Sequence, residues 1–431
     1  MTTASPAWRA GGDGHPARGH AIQAALGPAA PATASAAASP SAAGHAGLAP
    51  DNQAEPLIRQ SADGAAPAGQ RAADGPPSPA ARPGERTPRV ATPILLASLV
   101  LLIAVIVGVA SGPAGLTLPQ VAAALATKLP WHPHVAVSPL NAAIVWELRM
   151  PRVVLGVLVG CMLAGGGAAY QGIFRNPLAD PYLLGVAAGG GLGATIVVVS
   201  GGSQALLPLA AFVGAAGAVT LTYLLGSSSG QAGESEAARS GTGSILLAGI
   251  AVAALLTAVQ TYLQEQHTAT LATVYSWILG GLSAATWSDV WLILPYVAVS
   301  AVALLVHRRL LDVLRVGETE ATSLGVNVRR LRLLVVMAAT LGVSAAVAVS
   351  GLIGFVGIIV PHAVRLTVGP SYRTLLPVSM IGGAAFLVLA DVAARTVQAP
   401  DEVPIGVITA LAGAPFFLFV LRSRRARQDL S

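Results

Sequence analysis

From Pro93 to the C-terminus the chain is a succession of long apolar runs broken by short polar or glycine-rich stretches. A helix needs about 20 apolar residues to cross about 30 Å of hydrocarbon. Runs of that kind occupy about 93–110, 153–173, 183–199, 205–225, 244–263, 288–306, 333–350, 374–394 and 403–421. A shorter one, GLIGFVGIIVPHAV over 351–364, follows the 333–350 run directly. Together those two are too long for one crossing and carry glycines at their middle, so they predict two helices. The pattern thus predicts ten spans with both termini on one side of a membrane. Between Thr268 and Leu282, TATLATVYSWILGGL predicts a short helix at the outer interface and not a further span.

Residues 1–92 follow no such pattern. They are Ala, Pro, Gly and Ser with almost no aromatics, as in PATASAAASPSAAGHAGLAP and ADGPPSPAARPGERTPR. Such a segment cannot bury enough apolar surface to offset the entropy of ordering it, so a disordered tail is expected. It lacks the compact apolar stretch with a basic flank that marks a secretory signal.

Composition sharpens the class. Of 431 residues 54% are hydrophobic and 10% charged, against about 25% charged in ordinary soluble domains, and the mean hydropathy is +0.68. A soluble enzyme of this size would need far more polar surface. The single cysteine, Cys161, excludes a disulfide framework and any cysteine-based metal site, and inside a span it reads as a small apolar packer. His132-Pro-His134, two histidines without carboxylate or sulfur partners, read as a solvated outer loop.

Charge sets the orientation. With the N-terminus inside, the inner loops and C-terminal tail carry fourteen arginines, whereas the outer side keeps only Lys128, Arg149, Arg152 and Arg395. That bias is the positive-inside signature, and the opposite orientation would invert it. The tail contributes little, with seven arginines against six acids.

Ionisable residues are nearly absent from the middle of the spans, where ion-coupled carriers keep their coupling groups. Asp391 is the main exception, and its position four residues before Arg395 favours a local ion pair. No G-x-x-x-x-G-K-[ST] phosphate loop occurs, so the chain does not cradle nucleotide phosphates itself. Energy for uphill movement is therefore expected from an ATPase on another chain; the rival is an ion-coupled secondary carrier working alone. Glycines recur in fours at Gly156/Gly160 and Gly185/Gly189/Gly193, with a run at Gly165–Gly167. Such seams let helix backbones approach closely, whether for plain packing or for rigid-body rocking. The largest inner loop, HRRLLDVLRVGETEATSLGVNVRRLR over 307–332, has an apolar stripe (Leu311, Leu314, Ala321, Leu324, Val328). Gly317 and Gly325 divide it into short helices, a good docking surface on the cytoplasmic face.

Several motifs then resemble one family. WELRMPR (146–152), GCMLAGGGAAYQGIFRNPLADPYLLGVAAGGGLGA (160–194), LLAGIA (246–251) and WILGGLSAATW (277–287) are similar to the permeases that import iron-siderophores, haem and vitamin B12. So are GETEATSLGVNVRRLR (317–332), SGLIGFVGIIVPHAVR (350–365), LADVAAR (389–395) and VPIGVITALAGAPFFLFVL (403–421). The resemblance covers essentially all of 93–425 in order, and the N-terminal tail has no counterpart in it.

These permeases are the membrane subunits of binding-protein-dependent ABC importers. The resemblance implies an all-α membrane protein, a ten-helix bundle of the vitamin B12 permease type, over 93–425 with a short cytoplasmic tail at 426–431. It implies a homodimer in the bacterial cytoplasmic (inner) membrane, both termini cytoplasmic, two ABC ATPase subunits inside and a substrate-binding protein outside. ATP and Mg would be held by the ATPase; no catalytic, cofactor or metal site and no nucleic-acid partner is expected on this chain. Carried over by position, Arg149, Arg152 and Arg395 match the arginines that grip carboxylates of the binding protein. Glu318, Ala321, Leu324, Gly325, Val326 and Arg329 match the helices that couple to the ATPase. Thr242 and Gly243 fall at the cytoplasmic gate; the vitamin B12 permease has Ser at the second position, so Gly243 implies a less bulky constriction. Arg175, Asn176, Pro177, Asp180 and Pro181, with Pro361, His362 and Arg365, read as structural hinges on the inner side. There the prolines interrupt helices while Asn176, Asp180 and His362 cap freed backbone. The substrate is left open among ferric siderophore, haem and corrinoid.

Overall fold

The computed structural model describes residues 90–428 except 113, 129–136 and 229–240; at 228, 241, 242, 421 and 423–428 only the backbone is described. Residues 1–89 of the expected tail, the His132-Pro-His134 motif and 429–431 lie outside the described residues.

Every regular element among the described residues is helical. In chain order they are α1 (Ala91–Ala110), α2 (Leu118–Ala126), α3 (Pro139–Ala143), α4 (Met150–Ile173), α5 (Val186–Val199), α6 (Leu207–Ser228) and α7 (Gly241–Gln266). There follow α8 (Leu271–Ile278), α9 (Trp287–Val316), α10 (Glu318–Ser323), α11 (Val328–Ser350), α12 (Val356–Val368), α13 (Tyr372–Thr396) and α14 (Ile405–Gln428). Seven helical stretches are long and apolar enough to cross a membrane, and three shorter apolar ones, Val186–Val199, Val356–Val368 and Ile405–Val420, match the remaining predicted runs.

Helix α4 is the hub. Its residues from Met162 to Ile173 are buried without interruption, and it packs on α13, α11, α9 and α12. Small residues make this possible, because helix association in lipid depends on close packing and not on hydrophobic expulsion. At the crossing with α13, a Cβ on Gly160 would run into the Gly383 carbonyl, and one on Gly383 would run into that of Gly160. The glycine seam of α5 meets α6 in the same way, Gly189 against Gly214. Helices α5, α6 and α7 form one group joined to the hub through α11, while α1 packs mainly on α13.

Boundaries differ from the sequence reading in three places. The helix expected to begin at 153 runs from Pro139 to Ile173, because a π-helical turn over Ile144–Arg149 carries the polar segment WELR straight into α4. Helix α9 continues past Val306 to Val316, so Arg308, Arg309 and Arg315 ride on a helix and not in a loop. Its last turn ends at Gly317, and Gly325 takes φ +81°, so these glycines do divide the inner segment. Between α11 and α12 the chain runs through Gly351–Gly354 without helix, and Phe355 sits at φ +69° before α12 begins. This break separates the two helices expected from the 333–364 run. The short outer helix is α8, preceded by a 3-10 turn at Thr268–Thr270.

Candidate functional site

At one end of the bundle, where α1 stops and α4 starts, a charge cluster lies between α1, α4 and α13. Arg149, the last residue of the π-helical turn, is 4% exposed and donates from Nη1 to the carbonyls of Val109 (2.9 Å) and Ala110 (2.8 Å). Arg395, 3% exposed, donates to the carbonyls of Gly108 (2.8 Å) and Ser111 (3.2 Å). Together they cap the C-terminal end of α1, whose last carbonyls have no intrahelical partner and carry the negative end of the helix dipole.

Arg152 lies one turn beyond Arg149. Its guanidinium is shared by two carboxylates, Asp391 at 2.8 Å and Glu402, which it meets in a fork at 2.7 and 3.0 Å. Asp391 also takes Arg395 at 3.3 Å, the i,i+4 pair expected from the sequence. The three predicted arginines are therefore brought into one cluster, and all three face the protein's own groups. Glu402 was missed by sequence reasoning; its signal was an acid among the few charges predicted outside. Within the cluster three cations face two carboxylates, and Arg149 Nη2 and Arg395 Nε are buried without an acceptor.

At the opposite end of α4, the predicted hinge motifs form a second network. Helix α4 ends at Phe174, and Arg175 takes φ +48°, the left-handed position usually left to glycine. Asn176 Oδ1 accepts from the Leu178 N–H (2.9 Å), and Asp180 Oδ1 accepts from the Tyr182 N–H (2.8 Å) to start the 3-10 turn at Pro181. Pro177 lies in the turn between them. Burial pushes the Asp180 carboxyl up to about 6, opposed by the Tyr182 N–H. Tyr182 in turn exchanges hydrogen bonds with the backbone of Ile353, its hydroxyl accepting from the N–H (3.0 Å) and donating to the carbonyl (3.1 Å).

Pro361 behaves differently from the expectation. Pro361 does not interrupt α12 but lies inside it, and His362 packs edge-on against Phe416 of α14 with ring centroids 6.2 Å apart. The physical reason is a substitute donor. A proline in a helix lacks the N–H that would reach the carbonyl four residues back, here that of Gly357. Gln171 of α4 donates its side-chain N–H to that carbonyl at 3.1 Å, while its Oε1 accepts from Arg365 at 2.8 Å. Sequence reasoning missed Gln171, although a lone amide in an apolar span is itself a signal.

The segment predicted to couple to the ATPase is a braced turn. Glu318 meets Arg332 at 2.6 Å and approaches Arg175 at 3.9 Å. Ala321 is fully buried, and the Val326 N–H returns to its carbonyl at 3.0 Å across the Gly325 turn. Leu324 stands 71% exposed at the tip, and Arg329 is exposed beside it. The predicted stripe is thus divided: Leu311, Leu314 and Ala321 belong to the core, and Leu324 projects. At the start of α7 Gly243 is exposed with open space around it; the Thr242 side chain lies outside the described residues.

Comparison with known proteins accords with these features. A family model for the FecCD transport family matches residues 100–423. The cobalamin import system permease protein BtuC of Halobacterium salinarum is 44% identical over 66% of this chain and 74% of its own length. The hemin transport system permease protein HmuU of Yersinia pestis is 40% identical over 66% of this chain and 85% of its own. A solved inward-facing metal-chelate type ABC transporter superposes with a TM-score of 0.66 at 29% identity, covering 77% of this chain and 98% of that one. The match runs through the hub helix, both charge networks and the coupling turn, and the chain belongs to the FecCD transport family.

Proposed function

We propose that the protein is the membrane permease of an ABC importer for a chelated-iron or tetrapyrrole-like substrate: a ferric siderophore, haem or a cobalamin. The observation that carries this is the family match along 100–423, which begins within the first described span and runs into the last helix. It crosses the bacterial cytoplasmic membrane ten times with both termini inside, pairs with a second copy, and catalyses no reaction itself. Two ATPase subunits dock below, and a substrate-binding protein docks outside.

Arg149, Arg152 and Arg395 serve the outer docking. The excess of cations over carboxylates, with two buried N–H groups lacking acceptors, favours an additional carboxylate from outside. Of the two resident carboxylates Glu402 is the more exposed, 32% against 2% for Asp391, and so the one an incoming acid displaces most readily.

Below, the ATPase receives the turn around Leu324, where an apolar tip on a braced base transmits a push as a rigid body. The Glu318–Arg332 pair supports that role. The path follows the two-fold axis between α7 and α14, whose small and apolar side chains let a bulky ligand pass without being held. Thr242 and Gly243 narrow it at the cytoplasmic end.

Reconstitution tests the whole reading. Vesicles holding this chain, its ATPase and its binding protein should take up labelled substrate only with ATP and all three components. Uptake by this chain alone under an ion gradient would overturn it.

A further inference from the structure

The inner face contains a second basic feature that neither docking surface uses. A cleft of about 330 Å3 opens between the inner ends of α4, α9, α12 and α13, and three guanidiniums line it, those of Arg175, Arg315 and Arg365, with Tyr372 beside them.

Two carboxylates near the cleft, Glu318 and Asp312, are engaged elsewhere. Glu318 is held by Arg332 at 2.6 Å, and Arg175 reaches it only at 3.9 Å. Asp312 caps the start of α13, accepting from the Tyr372 N–H at 2.7 Å and the Ser371 hydroxyl at 2.9 Å. Arg315 is exposed and makes no ion pair among the described residues. Arg365 spends Nη2 on Gln171, and its Nη1 is buried without an acceptor. Arg175 holds the left-handed position in which a side chain is disfavoured. The cleft is thus a concave, net-positive site with unsatisfied donors.

Its level in the molecule identifies the ligand. Helices α4 and α12 end here and α13 begins, so the guanidiniums stand where spans leave the hydrocarbon on the arginine-rich side. The same α12–α13 turn borders an outward-facing apolar groove lined by Leu96, Val100, Thr367, Val368 and Val378. A phosphodiester head with acyl chains beside it matches that pairing of a basic cleft and an apolar groove, and basic clefts between spans on the cytoplasmic side suit anionic lipid heads. Arginine suits the phosphate, because its planar fork binds two oxygens at once.

We propose that Arg175, Arg315 and Arg365 form a binding site for the phosphate head of an anionic phospholipid of the inner leaflet. The site holds the hinge between α4 and α5 next to Glu318, so an occupied cleft steadies the base of the coupling turn.

Native mass spectrometry of the delipidated full-length protein, with phosphatidylglycerol, cardiolipin or phosphatidylcholine added back, tests this. The anionic lipids should be retained in preference to phosphatidylcholine. Arg175→Gln/Arg315→Gln/Arg365→Gln should weaken their retention on the order of a hundredfold, and the exposed single change Arg315→Gln about fivefold with folding intact. Arg309→Gln/Arg330→Gln/Arg422→Gln, which removes as much charge from exposed inner positions, should leave retention unchanged; an equal loss would reduce the effect to general attraction and overturn the site. Inorganic phosphate binding as tightly as the lipids would assign the cleft to a free anion and overturn the lipid source. Unchanged lipid retention in the triple variant, with weaker association of the ATPase, would make the cleft a protein contact and overturn it as well.

Discussion

Gln171 of α4 supplies to α12 the hydrogen bond that Pro361 withholds: its side-chain N–H reaches the Gly357 carbonyl at 3.1 Å, four residues before the proline. A helix with a proline at its middle thereby stays straight enough to carry Arg365 back to the same glutamine at 2.8 Å. Replacing Gln171 by Ala should cost about 2 kcal/mol, since it strands a buried carbonyl and an arginine N–H together. Adding Pro361→Ala restores a backbone N–H for Gly357, so the double variant should lose about 1 kcal/mol less than the two single losses combined. Thermal melts of the purified variants in one detergent check this; strictly additive losses would disconnect the two residues.

Asp180 predicts a pH dependence. Burial raises its carboxyl from the ordinary 3.8 to about 6, so the folded protein favours the protonated form. The resulting stabilisation is present in full below about pH 4 and is lost as pH rises through about 6. Asp180→Asn keeps the acceptor for the Tyr182 N–H and removes the buried charge. The variant should therefore be more stable than the parent at pH 7.5, on the order of 2 kcal/mol, with the gap closing towards pH 5. Melting curves across that range are the measurement, and a constant gap would refute the assignment.

The α4–α13 crossing predicts a sharp contrast between glycines. A Cβ at Gly160 meets the backbone of Gly383, which cannot turn aside as a side chain could. Gly160→Val should cost about 2–3 kcal/mol or abolish recovery of folded protein. At Gly217 of α6 an added Cβ meets nothing within 4 Å, and Gly217→Ala should be neutral or slightly stabilising. Fluorescence-detected gel filtration of the two variants separates these outcomes.

Leu324 should matter for transport and not for folding. It is 71% exposed, so Leu324→Asp leaves the melting temperature near that of the parent. In reconstituted vesicles with the ATPase, uptake per ATP hydrolysed should fall at least about tenfold, the loss of roughly one well-packed docking contact. Intact coupling would remove this turn from the ATPase interface.

On the docking proposed above, Glu402 and an incoming carboxylate would compete for the Arg152 guanidinium. Glu402→Gln should tighten association with the substrate-binding protein several-fold, and Arg152→Gln should weaken it by about tenfold or more. Surface plasmon resonance on the reconstituted permease reads both. Equal affinities in the two variants would show that Arg152 works only inside the chain.

Much of the fold was legible because its signals are local. An apolar run of span length and a proline and asparagine turn are properties of neighbouring residues. The Asp391–Arg395 pair belongs to the same class, since four residues make one helical turn. Family motifs indicated which arginines share the outer end, and they do meet.

What those arginines touch was decided by packing alone. Nothing near Arg149 in the sequence marks the carbonyls of Val109 and Ala110, 40 and 39 residues away, as its acceptors. The same holds for Arg152 and Glu402, 250 residues apart. Pro361 shows the limit most clearly: locally it forecasts a broken helix, and only the arrival of Gln171 from another helix supplies the missing donor. The apolar stripe around Leu311 and Leu324 likewise carries one chemical character along its length, and the bundle buries one and exposes the other. Local chemistry determines that a polar group needs a partner or an apolar one needs cover; the three-dimensional approach of distant helices determines which group answers, because in lipid an unanswered one is costly.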